Sequence, residues 1–91
     1  MNPDEAQARA ATLAMLAQRA TDATVCPSEV ARHLAREGAC EDWREAMPVV
    51  HAAVDELLGS DVIQLRWKGT RLETRAGPYR IAHPSRPGVE S

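Results

Sequence analysis

Between Val50 and Trp67 the apolar residues change period. Val50, Ala53, Val54, Leu57 and Leu58 fall at i, i+3, i+4, i+7 and i+8, the stripe of an α-helix closed by Gly59. Directly afterwards Ile63, Leu65 and Trp67 alternate with Gln64, Arg66 and Lys68, the period of a strand with one buried face. One chain that needs both periods side by side reads as α+β.

The remaining elements follow from local chemistry. Asn2, Pro3, Asp4 and Glu5 offer a cap, a pre-set φ and acids for the positive end of a helix spanning about residues 3 to 20, with Leu13, Leu16, Ala17 and Ala20 as its apolar stripe. Thr24-Val25-Cys26 is a short β-prone stretch. Pro27 then opens a second helix carrying Val30 and Leu34, and Gly38 ends it. Pro48 has no N–H and disfavours helix just before it, which predicts a separate helical turn over 41–46 and a main helix starting near Pro48. A loop is expected from Lys68-Gly69-Thr70 to Gly77-Pro78, and Tyr79-Arg80-Ile81 is a returning strand. The order is that of a winged helix-turn-helix: three main helices, a short helical turn and a small antiparallel β-sheet with a basic wing. The expected core is Leu13, Leu16, Val30, Leu34, Val50, Val54, Leu57, Leu58, Ile63, Leu65 and Ile81, with Trp43 and Trp67 on its margins.

Ninety-one residues suffice for one hydrophobic core. Residues 1–83 are therefore read as one domain, and 84–91, with Pro84, Pro87 and Gly88, as a disordered tail. The acidic start Met1-Asn2-Pro3-Asp4-Glu5 is unlike a secretory signal, and no apolar run approaches the roughly 20 residues of a membrane span, so the expected setting is cytoplasmic, without a membrane partner. Cys26 and Cys40 lack metal-type spacing, and reduced thiols are expected.

The charges are unevenly placed. Residues 1–61 hold five Arg against eleven Asp and Glu, or −6; residues 62–91 hold six Arg and Lys against Glu73 and Glu90, or +4. Such asymmetry bears on partners rather than on fold.

Four motifs carry a resemblance: Cys26-Pro27-Ser28-Glu29-Val30-Ala31-Arg32, Trp43-Arg44 with Met47-Pro48, the Lys68-Gly69 turn, and Gly77-Pro78-Tyr79-Arg80. Over about residues 8 to 82 the chain resembles a bacterial family of short winged-helix proteins classified only as a domain of unknown function. The resemblance implies a fold and a bacterial origin, and it brings no activity, ligand or catalytic residue with it. The polar members of the pattern, Ser28, Glu29, Arg32, Arg44 and Arg80, are read first as an ion-pair and capping network and second as a binding site.

In a winged helix the main helix would be the recognition helix, with outward positions drawn from Val49, His51, Ala52, Asp55 and Glu56. It offers no Lys or Arg between Arg44 and Arg66, and Asp55 and Glu56 would face the phosphate field. The wing instead gathers Arg66, Lys68, Arg71, Arg75 and Arg80, with Arg44 and Arg32 as flanking contacts, and DNA is the expected partner on that side. The competing partner is a protein, a second copy included, met through Ala6, Ala10, Leu13, Ala14 and Ala17 of the first helix, a face equally explained as core. Catalysis is not expected. Cys26 before a helix start and His33 or His51 nearby read more simply as structural groups. His33, His51, His83, Cys26 and Cys40 form no zinc spacing, and the glycines at 38, 59, 69, 77 and 88 make no phosphate loop or other cofactor motif.

Overall fold

In the computed structural model, which describes residues 4–84, Asp4 caps the first helix. Its carboxylate accepts the Gln7 N–H at 2.7 Å, and the Gln7 side chain accepts the Asp4 N–H at 2.9 Å. This reciprocal capping box satisfies two otherwise orphaned donors, and α1 runs over Glu5–Ala17, shorter at its C-terminal end than expected. The expected cap Asn2, the expected first residue Pro3 and the expected tail beyond Pro84 lie outside the described residues.

The inward face of α1 also differs from the expected one. Ala8, Ala11, Thr12 and Leu16 are buried, while Leu13, expected in the core, is 40% exposed. Both faces of this helix are apolar, so its period alone does not choose between them. The face of smaller side chains lets α1 lie close against the other helices. Thr12 is admitted because its hydroxyl donates to the Ala8 carbonyl at 2.8 Å.

After the two-residue strand β1, Thr24–Val25, Pro27 occupies the first position of α2, Pro27–Arg36, and the Glu29 carboxylate accepts the Cys26 N–H at 2.8 Å. Gly38, at φ +87°, ends the helix, with the Gly38 and Ala39 N–H groups donating back to Ala35 and Leu34 at 3.0 Å.

The third helix corrects an expectation. Instead of a turn over 41–46 and a new helix near Pro48, a single helix α3 spans Trp43–Gly59 with Pro48 inside it. Pro48 and Arg44 are both exposed, so the missing N–H leaves the Arg44 carbonyl where water reaches it. The buried stripe Ala46, Val50, Ala53, Val54 and Leu57 runs unbroken past the proline, and burying it outweighs one lost hydrogen bond. Asp42, whose side chain accepts the Arg44 N–H at 3.0 Å, is the cap. At the far end the helix closes at Gly59, as expected, and Asp61 follows at φ +62°.

The segment expected as a loop from 68 to 78 contains a further strand. Lys68 and Gly69 both have positive φ, 52° and 82°, as a two-residue type I′ hairpin requires. The turn returns β2, Gln64–Trp67, into β3, Thr70–Leu72. With β4, Arg80–Ala82, the four strands form one antiparallel sheet in the order β1-β4-β2-β3.

Val25, Leu65 and Ile81 from the sheet and Ile63 just before it meet Val30, Leu34, Val50, Val54 and Leu57 from the helices in one core, with Leu58 and Trp43 partly buried at its edge. Gln64, the polar member of the expected alternation, is only 3% exposed, whereas Trp67 is 37% exposed and stands away from the core margin. Three helices and a small antiparallel sheet in this order are compatible with a winged-helix-like fold. Both cysteines are free. No helix among the described residues is long and apolar enough to cross a membrane.

Candidate nucleic-acid interface

The two-residue turn fixes which side chains share a face. Closing the hairpin at Lys68-Gly69 sets Trp67 opposite Thr70 and Arg66 opposite Arg71, and the β2–β4 ladder sets Arg66 opposite Arg80. Residues directly opposite in an antiparallel pair point to the same side, their Cβ atoms about 5 Å apart. Arg71, Arg66 and Arg80 thus form a transverse row across three strands. It lies on the face opposite Leu65 and Ile81, and all three residues are exposed.

Like charges in directly opposed positions destabilise a sheet, and the Glu29 carboxylate offsets the Arg80 charge only from beyond ion-pair distance. Among the described residues no carboxylate lies within ion-pair distance of Arg66, Lys68, Arg71 or Arg80. Their partners are neutral. Arg80 Nε donates to the Thr24 hydroxyl at 2.6 Å, Arg66 Nη2 donates to the Gln64 side-chain oxygen at 3.3 Å, and the Lys68 ammonium lies 6.0 Å from the Trp67 ring centroid.

Arg66, Lys68 and Arg80 also line a cleft of about 540 Å³, walled on its far side by the 21–24 segment and closed by Gly69 and His83. His83 Nε2 lies 3.3 Å from the Arg19 carbonyl oxygen, tying the end of β4 to the residues after α1.

Two sequence-predicted site residues stand elsewhere. Arg75 is held by Asp55 of α3, with Nε and Nη2 donating to the two carboxylate oxygens at 2.9 and 3.0 Å. That bidentate bond fixes the proton on the guanidinium still more firmly. Arg44 lies at the start of α3, 4.8 Å from the Trp43 ring centroid, with Arg32 at 4.6 Å from the same ring. These residues border a separate shallow cleft with Arg36 and Glu41. Of the grouping Ser28, Glu29, Arg32, Arg44 and Arg80, Arg32 and Arg44 stand apart at Trp43, while Arg80 lies close enough to Glu29 to act on its charge. Glu29 pairs with Arg19 at 3.4 Å, and its carboxyl is held below the usual range first by the Cys26 N–H and then by Arg19.

The outward face of α3 is engaged by its own molecule. Besides Asp55 with Arg75, Glu56 pairs with Arg9 of α1 at 2.6 Å. Half-buried His51 places Nδ1 2.7 Å from the Tyr79 hydroxyl. Burial, aided by Arg75, lowers the His51 pKa, and burial pushes the Tyr79 hydroxyl up. Residues 75–79 are thus strapped along α3, so the chemistry available there is mostly spent internally. These pairs span 20 to 47 positions of sequence, and no local signal announces them. The register of Arg66 with Arg71, by contrast, is contained in the Lys-Gly turn. Among the described residues no three of His, Cys, Asp and Glu stand close enough to hold a metal ion.

The model of a family described as Protein of unknown function (DUF3253) matches residues 5–84, the stretch that bears the motifs of the resemblance. No curated protein matches the chain.

Proposed function

We propose, from the premise that this chain belongs to the DUF3253 family of proteins of unknown function, that it is a non-enzymatic winged-helix protein that contacts a nucleic-acid backbone through the outer face of its sheet. The observation that carries the reading is the Arg71–Arg66–Arg80 row, held by cross-strand register and without carboxylate partners among the described residues. A row of cations at strand spacing suits successive phosphates, and each contact made releases counterions. The engagement of Asp55, Glu56 and His51 favours the sheet over α3 as the contacting element. The test is fluorescence anisotropy of a labelled mixed-sequence duplex. The variant with Arg66, Arg71 and Arg80 all changed to Ala should lose binding while its circular dichroism stays native; undiminished binding overturns the proposal.

A second reading is favoured by a different observation. Ala6, Ala10, Leu13, Ala14 and Ala17 of α1 are all exposed, so this helix presents an apolar face on the side away from the core, where a protein partner or a second copy would find close packing. Ala10→Glu should then shift the mass measured by light scattering to a smaller species; an unchanged mass removes this reading.

A further inference from the structure

The cleft beside the arginine row has a shape and charge that a flat backbone-tracking surface does not need. Three separate stretches of chain wall it: the 21–24 segment, the end of β2 with its turn, and the end of β4. Its volume of about 540 Å³ lies within the roughly 300 to 1,000 Å³ usual for small-molecule sites. It is large enough for one nucleotide.

Three cations, Arg66, Lys68 and Arg80, converge there against one carboxylate, Asp22, among the described residues, an excess of two positive charges over the Arg, Lys and Asp side chains of the lining. An internal phosphodiester has one negative charge and lies on a convex strand. A phosphate monoester carries up to two and ends in three free oxygens that several donors reach at once. The donors are also held in place beforehand. Thr24 fixes Arg80 through Nε, leaving the terminal nitrogens free for a ligand, and Gln64 fixes Arg66 through one terminal nitrogen. Both anchors are neutral and leave each guanidinium its charge, with Glu29 acting on Arg80 only from beyond ion-pair distance, and less ordering remains to be done on binding.

We infer that this cleft seats a phosphate monoester, borne either by the end of a nucleic-acid strand or by a free mononucleotide. The inference rests on the proposed backbone contact only in its first form; the second stands without it. Asp22 sets a limit on affinity, because it faces the same space as the phosphate.

The test is a titration of ¹⁵N-labelled full-length protein with four probes: adenosine 5′-monophosphate, adenosine, and one short oligonucleotide with a 5′-phosphate or a 5′-hydroxyl. Adenosine monophosphate should shift the amides of residues 22–24, 66–69 and 80–83, and adenosine should not. The 5′-phosphorylated strand should bind about tenfold more tightly than its 5′-hydroxyl counterpart, the worth of one charge-assisted contact. Arg66→Gln and Lys68→Asn should each remove that advantage, the latter with the type I′ turn kept because Asn suits positive φ. Asp22→Asn should tighten the monophosphate. Equal binding of the two strands, with no response to the monophosphate, overturns this inference and leaves the backbone contact standing. Response to the monophosphate without any strand binding keeps the cleft and overturns the backbone contact. Silence with all four probes overturns both.

Discussion

Arg66 stands directly opposite Arg80 across the β2–β4 ladder and directly opposite Arg71 across the β2–β3 ladder. An arginine flanked on both sides by arginines is a position where stability has been given up. Each opposed like-charge pair costs on the order of 0.2–1 kcal/mol. Arg66→Glu is therefore expected to raise the melting temperature in low salt and to have a smaller effect in high salt, where the repulsion is already screened. The same substitution should abolish duplex binding. A variant that is both less stable and binding-competent would contradict the account of this residue.

Asp55 holds Arg75 away from the row. Its removal in Asp55→Ala takes a carboxylate from the outer surface and frees a guanidinium, so duplex affinity should rise. The stability lost should be modest, about 0.5–1 kcal/mol, since both side chains are part-exposed. Chemical denaturation and anisotropy on one preparation check both halves of the statement.

Pro48 costs α3 a hydrogen bond to the Arg44 carbonyl at an exposed position. Pro48→Ala restores the donor without disturbing the buried stripe, and a gain of about 1 kcal/mol is expected in denaturant unfolding. A loss would mean that the proline supports a contact beyond the helix.

Stability should fall as pH falls, in two windows. The folded His51 has its pKa below its ordinary 6.5, so the unfolded chain binds the proton first. Its contribution is full above pH 6.5 and declines as pH drops through 6.5 toward the folded value. The folded Glu29 has its pKa below its ordinary 4.5, so its contribution is full above pH 4.5 and is lost as pH falls through the folded value. In His51→Gln the upper decline should vanish and the lower one remain, as read from melting temperature against pH.

What the sequence made legible was whatever depends on near neighbours. The stripe Val50, Ala53, Val54 and Leu57, the helix start at Pro27 and the stop at Gly38 all act within a turn or two of helix, and each is found where local chemistry puts it. The errors came where tertiary packing outvoted a local rule. Pro48 argued for a break, but the buried stripe on both sides of it holds the helix together. Leu13 argued for the core, yet the opposite, thinner face of α1 is the one that fits. The candidate site divides in the same way. That Arg66 pairs with Arg71 follows from a two-residue Lys-Gly hairpin, whereas Arg80 opposite Arg66, the cleft wall at 21–24 and the capture of Arg75 by Asp55 depend on contacts 14 to 56 positions apart.

The central claim is that the sheet's arginine row, not α3, meets nucleic acid. Its most direct test follows the backbone amides of the ¹⁵N-labelled protein during titration with mixed-sequence duplex DNA at low and at physiological salt. The account predicts salt-sensitive shifts at Arg66, Lys68, Arg71 and Arg80, with residues 49–56 unmoved. An absence of shifts even at low salt, or shifts concentrated on residues 49–56, would contradict it.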